Sequence, residues 1–146
     1  MPSGVNALIQ TIGPVVPGWT ARPRPPRTPL VGRFCTLEPL DAAKHAGDLF
    51  AANRLDTEGR NWTYLPYGPF DRLEDYRAWV EKVAAADDPY FHAILDPATG
   101  KAQGVASLMR IDPPNGVIEV GHINYSPLLQ RKPAATEAMF LLMRRC

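Results

Sequence analysis

Apolar positions recur along this chain with two different periods, and the switches between them mark out the elements. Residues 34–40 (Phe34-Cys35-Thr36-Leu37-Glu38-Pro39-Leu40) are mostly strand-formers, closed by a proline, and Asp41 follows as a helix cap. Ala43, Ala46, Leu49 and Phe50 then recur at helical steps, which predicts a helix to about Asn53, broken by Asp56, Thr57 and Gly59. The stretch 62–70 (Trp-Thr-Tyr-Leu-Pro-Tyr-Gly-Pro-Phe) has no period of either kind, so it reads as an ordered loop packed by its own rings. Asp71 opens a second helix with Glu74 in capping-box position. Leu73, Tyr76, Val80 and Val83 form its buried stripe, to an end near Ala86.

Beyond Asp87-Asp88-Pro89 the period falls to two. Residues 90–95, 103–111 and 117–125 read as three strands of a meander, separated by turns at 96–100 and 112–116, the latter carrying the hairpin signal Asn115-Gly116. After Ser126-Pro127 comes a basic elbow, Gln130-Arg131-Lys132. Pro133 then takes the first position of a third helix, whose apolar-rich run covers 134–143. The expected fold is an α/β (α+β) domain: a mixed, mainly antiparallel sheet flanked by helices.

Composition changes this picture mainly at the N-terminus. A length of 146 residues, 45% of them hydrophobic, suits one domain with a core of its own. Prolines crowd residues 14–29, where Arg22-Pro-Arg-Pro-Pro-Arg-Thr-Pro29 lacks the amide donors of a helix or ladder, so residues 1–29 are expected to be a tail or strap and residues 30–146 the domain. The same run contains two P-x-x-P patterns, Pro23 to Pro26 and Pro26 to Pro29, a form that aromatic-grooved adaptor domains bind. A formal net charge of +1 supplies no field for nucleic acid or an anionic membrane, and neither partner is expected. Glycines and prolines interrupt every early apolar stretch, and no run approaches the roughly 18 apolar residues of a membrane span. The two cysteines, Cys35 and Cys146, have neither disulfide-framework nor metal spacing, which suits the reducing cytoplasm, and no metal is expected. Cys35 reads as a buried strand cysteine rather than a nucleophile.

Candidate chemistry concentrates at the elbow. A strand feeding a turn and then a helix N-terminus aims free amides and a positive dipole end at one point, which suits phosphate. Arg131 and Lys132 add cations, and Ala134, Ala135 and Thr136 keep the first helical turn small. Spacing alone leaves open a plain strand-to-helix connection.

The run 119–138, Glu-Val-Gly-His-Ile-Asn-Tyr-Ser-Pro-Leu-Leu-Gln-Arg-Lys-Pro-Ala-Ala-Thr-Glu-Ala, resembles the strand-four to helix-three segment of GNAT acetyltransferases. The likeness is greatest to the branch of ribosomal-protein-alanine N-acetyltransferases. Glu119, Gly121, Gln130, Ala135, Thr136, Glu137 and Ala138 match that branch, and the order of elements from about residue 30 agrees. Pro133 stands where the family's loop commonly has glycine, and His122 where it often has an aromatic. The family's pattern continues with a fifth strand, a fourth helix and a closing hairpin, so the fold is expected to be incomplete at the C-terminus.

The resemblance implies an acetyl-CoA-dependent N-acetyltransferase. Acetyl-CoA would be cosubstrate and a primary amine of a protein or small molecule the acceptor, attacking the thioester directly in a ternary complex. Its pyrophosphate would lie on Gln130, Arg131, Lys132, Ala134, Ala135 and Thr136, and its pantetheine along Ile123, Asn124, Tyr125 and Ser126. Glu119 is the candidate base, against an ordinary role as a strand surface residue. His122 is expected on the opposite face by the period of two. Trp62, Tyr64 and Tyr67 are candidate acceptor walls, against simple packing. The 146-residue chain alone is expected to be inactive, and the alternative is a catalytically silent remnant acting as a binding or structural piece, its open sheet edge leaving room for a homo-oligomer.

Overall fold

Two helices on one face of a sheet and a third on the other are what the computed structural model shows, and it describes residues 4–146. In chain order the elements are β1 Leu30–Val31, β2 Thr36–Pro39, α1 Ala42–Asn53, a 3-10 turn Arg60–Trp62, α2 Leu73–Ala84, β3 Tyr90–Leu95, β4 Ala102–Asp112, β5 Val117–Tyr125 and α3 Pro133–Arg145. The sheet order is β1-β2-β3-β4-β5, and each neighbouring pair is antiparallel. The expected helix-flanked, mainly antiparallel sheet is therefore present.

Alternation along the central strands divides the core. Ile94 of β3 and Ala106 and Leu108 of β4 meet Ala138, Leu141 and Leu142 of α3 on one face. Phe91, Ala93 and Val105 meet Ala46 and Leu49 of α1 and Tyr76 and Val80 of α2 on the other. With both faces covered, β3 and β4 read as near-continuous apolar runs. One end of the sheet, β5, keeps its outer edge open among the described residues.

The caps differ from expectation at one helix. At α1 the Asp41 side chain accepts from the Lys44 amide at 2.9 Å, and the Asp41 amide donates to His45 Nδ1 at 3.1 Å, so the helix opens where the sequence says. At α2 the capping box expected from Asp71 and Glu74 is absent: the helix begins after Arg72, which makes no side-chain cap. The Asp71 carbonyl instead accepts from Arg54 Nη1 at 3.4 Å, which ties this residue to the end of α1 and leaves it one place too early to cap.

Strand β1 has no signal of its own. The turn joining it to β2 is held by a distant carboxylate, because Glu137 of α3 accepts the amides of Arg33, Phe34 and Cys35 at 2.8, 2.6 and 2.9 Å. A Cβ on Gly32 would collide with that carboxylate, so glycine is required there by close approach rather than by its backbone angle. The Glu137 of the Thr136-Glu137-Ala138 motif thus fastens the first hairpin to the last helix.

The proline-rich segment lies along the body as a strap, and the first three residues of the expected tail fall outside the described residues. The Arg22 amide donates to the Pro113 carbonyl at 2.9 Å, Arg27 to the Ala86 carbonyl and Asp87 Oδ1 at 2.7 Å, and Arg145 to the Pro26 carbonyl at 2.8 Å. Prolines 23, 25 and 26 line a hollow against the β4–β5 turn and the end of α3.

Candidate functional site

The irregular positions of β4 and β5 place the chemistry. Gly121 pairs with Ser107 and Asn124 with Val105, so two residues of β5, His122 and Ile123, stand opposite the single Ala106. His122 sits at φ 49°, a left-handed conformation that a β-bulge accommodates. This overturns the expectation that Glu119 and His122 face opposite ways. Ile118 and Val120 pack toward α3, so Glu119 faces the α1/α2 side. The extra residue breaks the period of two and turns His122 to that same side, where its ring lies 5.6 Å from that of Tyr67 and 5.2 Å from that of Phe91.

The Glu119 carboxylate is about half exposed and accepts from Arg110 Nη1 at 3.1 Å. Arg110 is itself at φ 50°, where its amide and that of Ile111 donate to the two Asp88 carboxylate oxygens, each at 2.9 Å. The irregularity in β4 is thereby fastened to the loop before β3. Burial lowers the His122 pKa, and the Glu119 charge acts in the opposite direction. Its imidazole is consequently biased toward the neutral form that can accept a proton.

The candidate acceptor walls have three different settings. Trp62 is buried among the Tyr67 and Phe70 rings, with centroids at 6.2 and 5.7 Å, and is part of the core. Tyr64 is 97% exposed. Tyr67 stands between the Trp79 ring, at 4.5 Å, and His122. Its hydroxyl is buried without a partner, and burial holds its pKa above the usual phenol value.

At the elbow, the Leu129 and Gln130 amides turn back to the Ser126 carbonyl at 2.9 and 3.1 Å, Arg131 takes φ 59°, and the Ala135 amide closes on the Lys132 carbonyl at 3.0 Å. The amides of Arg131, Lys132 and Ala134 make no hydrogen bond among the described residues, and Pro133 has none to make. No side chain caps α3. The side chains of Arg131 and Lys132 form no ion pair among the described residues, and Thr136 is exposed. A hollow of about 220 Å³ opens beside Lys132 and Ala134, bounded by Phe34, Asp96, Gln103 and Leu129. Free donors, the positive end of a helix and an unengaged Lys132 beside the cavity are features that suit a phosphate group.

Gln130 has a part in this site that its sequence position did not indicate. Its Nε2 donates to the Tyr125 carbonyl at 2.8 Å and to Asn61 Oδ1 at 2.7 Å, while Asn61 Nδ2 reaches the same carbonyl at 3.1 Å. Asn61 was not anticipated, and a lone asparagine in a turn carries no signal for a partner 64 residues away. The Ser126 amide donates inward to the Gln103 carbonyl at 3.1 Å, so Tyr125, one residue earlier, points its amide and carbonyl to the open edge. Asn124 and Ser126 are buried with unpartnered side chains, and Ile123 is exposed. A hollow of about 410 Å³ between the end of α1, Trp62 and Phe70 has neither Glu119 nor His122 in its lining. Among the described residues no group of three or more His, Cys, Asp or Glu is placed to hold a metal, and no helix is long and apolar enough to cross a membrane.

Solved structures resemble this arrangement closely. A GNAT-family protein from Chromobacterium violaceum is 32% identical with a TM-score of 0.82, over 93% of this chain and 68% of its own. The chain belongs to the GNAT family. A GCN5-related N-acetyltransferase from Brucella melitensis is 46% identical with a TM-score of 0.85 over 88% of this chain, and this GNAT chain spans 58% of that protein's length. A GNAT-family acetyltransferase from Bacillus anthracis, at 16% identity and a TM-score of 0.63 over 80% of this chain and 64% of its own, shares the fold. No protein-family model and no curated protein matches the chain.

Proposed function

We propose that this chain carries the cosubstrate half-site of an acetyl-CoA-dependent N-acetyltransferase. The observation that carries the reading is the elbow, where the Arg131, Lys132 and Ala134 amides stand free beside two cations and a cavity at the N-terminus of α3. Acetyl-CoA, when bound, supplies the activated acetyl group. The elbow would hold its pyrophosphate, and the outward Tyr125 amide at the open edge of β5 is a donor for the pantetheine arm.

A primary amine attacking the thioester carbon must first lose a proton, because amines with pKa near 10 are mostly ammonium at neutral pH. The face carrying Glu119 and His122 offers the groups for that step, with Tyr67 beside them. The residue pattern Glu119 to Ala138 supports placing the protein near the ribosomal-protein-alanine N-acetyltransferases, with a protein N-terminus as acceptor. Presenting alanine-ended and serine-ended peptides and polyamines side by side tests that choice, and a preference for polyamines contradicts it.

The chain spans 58% of the length of the Brucella protein, and the half-site reading concerns the part that the two share. Calorimetric titration tests the half-site directly. Acetyl-CoA should bind the chain, and the double variant Arg131→Glu, Lys132→Glu should bind at least about tenfold more weakly, since each lost phosphate contact removes a charge-assisted interaction. Equal affinity in the two proteins contradicts the assignment.

A further inference from the structure

We propose that His122, delivered to the Glu119 face by the bulge in β5, is the group that takes the proton from the attacking amine, with Glu119 holding the resulting imidazolium and Tyr67 positioning the ring. This rests on the acetyltransferase reading and deepens it.

The geometry begins with the bulge. Without the extra residue opposite Ala106, His122 would follow the strand period into the apolar layer beneath α3; with it, the ring stacks on Tyr67 and tilts against Phe91 on the α1/α2 side. A left-handed φ at a non-glycine residue has a backbone cost, which the surrounding rings offset by fixing one ring position. The ring makes no hydrogen bond to protein among the described residues, so its nitrogens remain available to a ligand. Glu119 is differently placed: its carboxylate already accepts from Arg110, in a pair that faces solvent. A carboxylate so engaged suits holding a charge beside it better than taking the proton itself.

The charged groups around His122 are few. On its own strand there is Glu119, whose charge acts on the imidazole; on β4 there is Arg110, paired to Glu119; from the loop there is the Tyr67 hydroxyl, kept protonated by burial. Phe91 completes the surroundings as an uncharged ring, with Trp79 packed behind Tyr67. A neutral imidazole on an aromatic floor, with the Glu119 charge acting to favour its protonated form, is an arrangement that can accept a proton and stabilise it once accepted.

The step balances without a further reactant. The amine nitrogen forms a bond to the thioester carbon, the carbon–sulfur bond breaks, the amine proton passes to the His122 imidazole, and the departing thiolate is reprotonated from the imidazolium or from water.

The test uses side-chain-labelled histidine in the full chain, followed by nuclear magnetic resonance. In the apo protein, Glu119→Gln should lower the His122 pKa relative to wild type, because a favourable charge is removed, and Tyr67→Leu should broaden the ring resonances. With coenzyme A present, adding an alanine-ended tetrapeptide should move the His122 ring signals and leave those of buried His92 in place. An unchanged His122 pKa in Glu119→Gln, a ring already protonated at pH 7, or ring signals indifferent to the peptide would each overturn the inference. The same spectra separate the two proposals. Coenzyme A shifts at the elbow amides with an indifferent His122 sink only this inference, whereas no elbow shifts at all sink the acetyltransferase half-site.

Discussion

His92 shows how strongly a single buried group can set behaviour in solution. It is fully buried on β3, with the Tyr90 ring at 4.2 Å, and burial lowers its pKa from 6.5 to about 4, with the charges of Arg145 and Arg27 acting in the same direction. The unfolded chain therefore binds a proton at a higher pH than the folded one. The stability this neutral histidine preserves is fully present above pH 6.5 and is lost as the pH falls toward about 4. At pH 5 the loss should be about 2 kcal/mol relative to pH 7. Urea unfolding at the two pH values measures it, and His92→Leu should flatten most of that dependence; an equally steep loss in the variant contradicts the assignment. Cys35 is affected by burial in the opposite sense: burial and the neighbouring Glu137 charge push its thiol up to about 12, which keeps it protonated and unreactive.

Among the elements, what could be read from the chain and what could not divide along a physical line. Strand β3 coincides with the expected 90–95, β5 with 117–125, and α1 ends at Asn53 as expected, because each depends on local periodicity and adjacent caps. Features without a local signal were invisible: β1, whose turn is fixed by Glu137; the start of α2 after Arg72 instead of at the expected capping box; and the bulges at Arg110 and His122. The candidate site divides in the same way. Its elbow was legible from Gln130-Arg131-Lys132-Pro133 alone, whereas the shared face of Glu119 and His122 depends on one inserted residue that no period reveals. The Gln130–Tyr125–Asn61 bonds are likewise nonlocal, and they join the elbow to the aromatic loop. Gln130→Ala should cost about 1 kcal/mol of stability by removing those bonds. It should also raise hydrogen exchange at residues 61–67 more than in α1, and unchanged exchange there would show that the loop is held by its rings alone.

At the scale of the molecule, the strap, the hairpin clasp at Glu137 and the α3 packing join the N-terminal segment to the last helix, while the outer edge of β5 stays open beside the elbow and the Glu119–His122 face. The central claim is that this open edge and the elbow together receive acetyl-CoA. The most direct measurement is an amide-resolved magnetic resonance titration of the labelled chain with acetyl-CoA. The account predicts saturable shifts largest at Arg131, Lys132 and Ala134, extending along β5 to Tyr125, with the strap unaffected. Shifts confined to the arginines of the strap, or none at saturating acetyl-CoA, would contradict it.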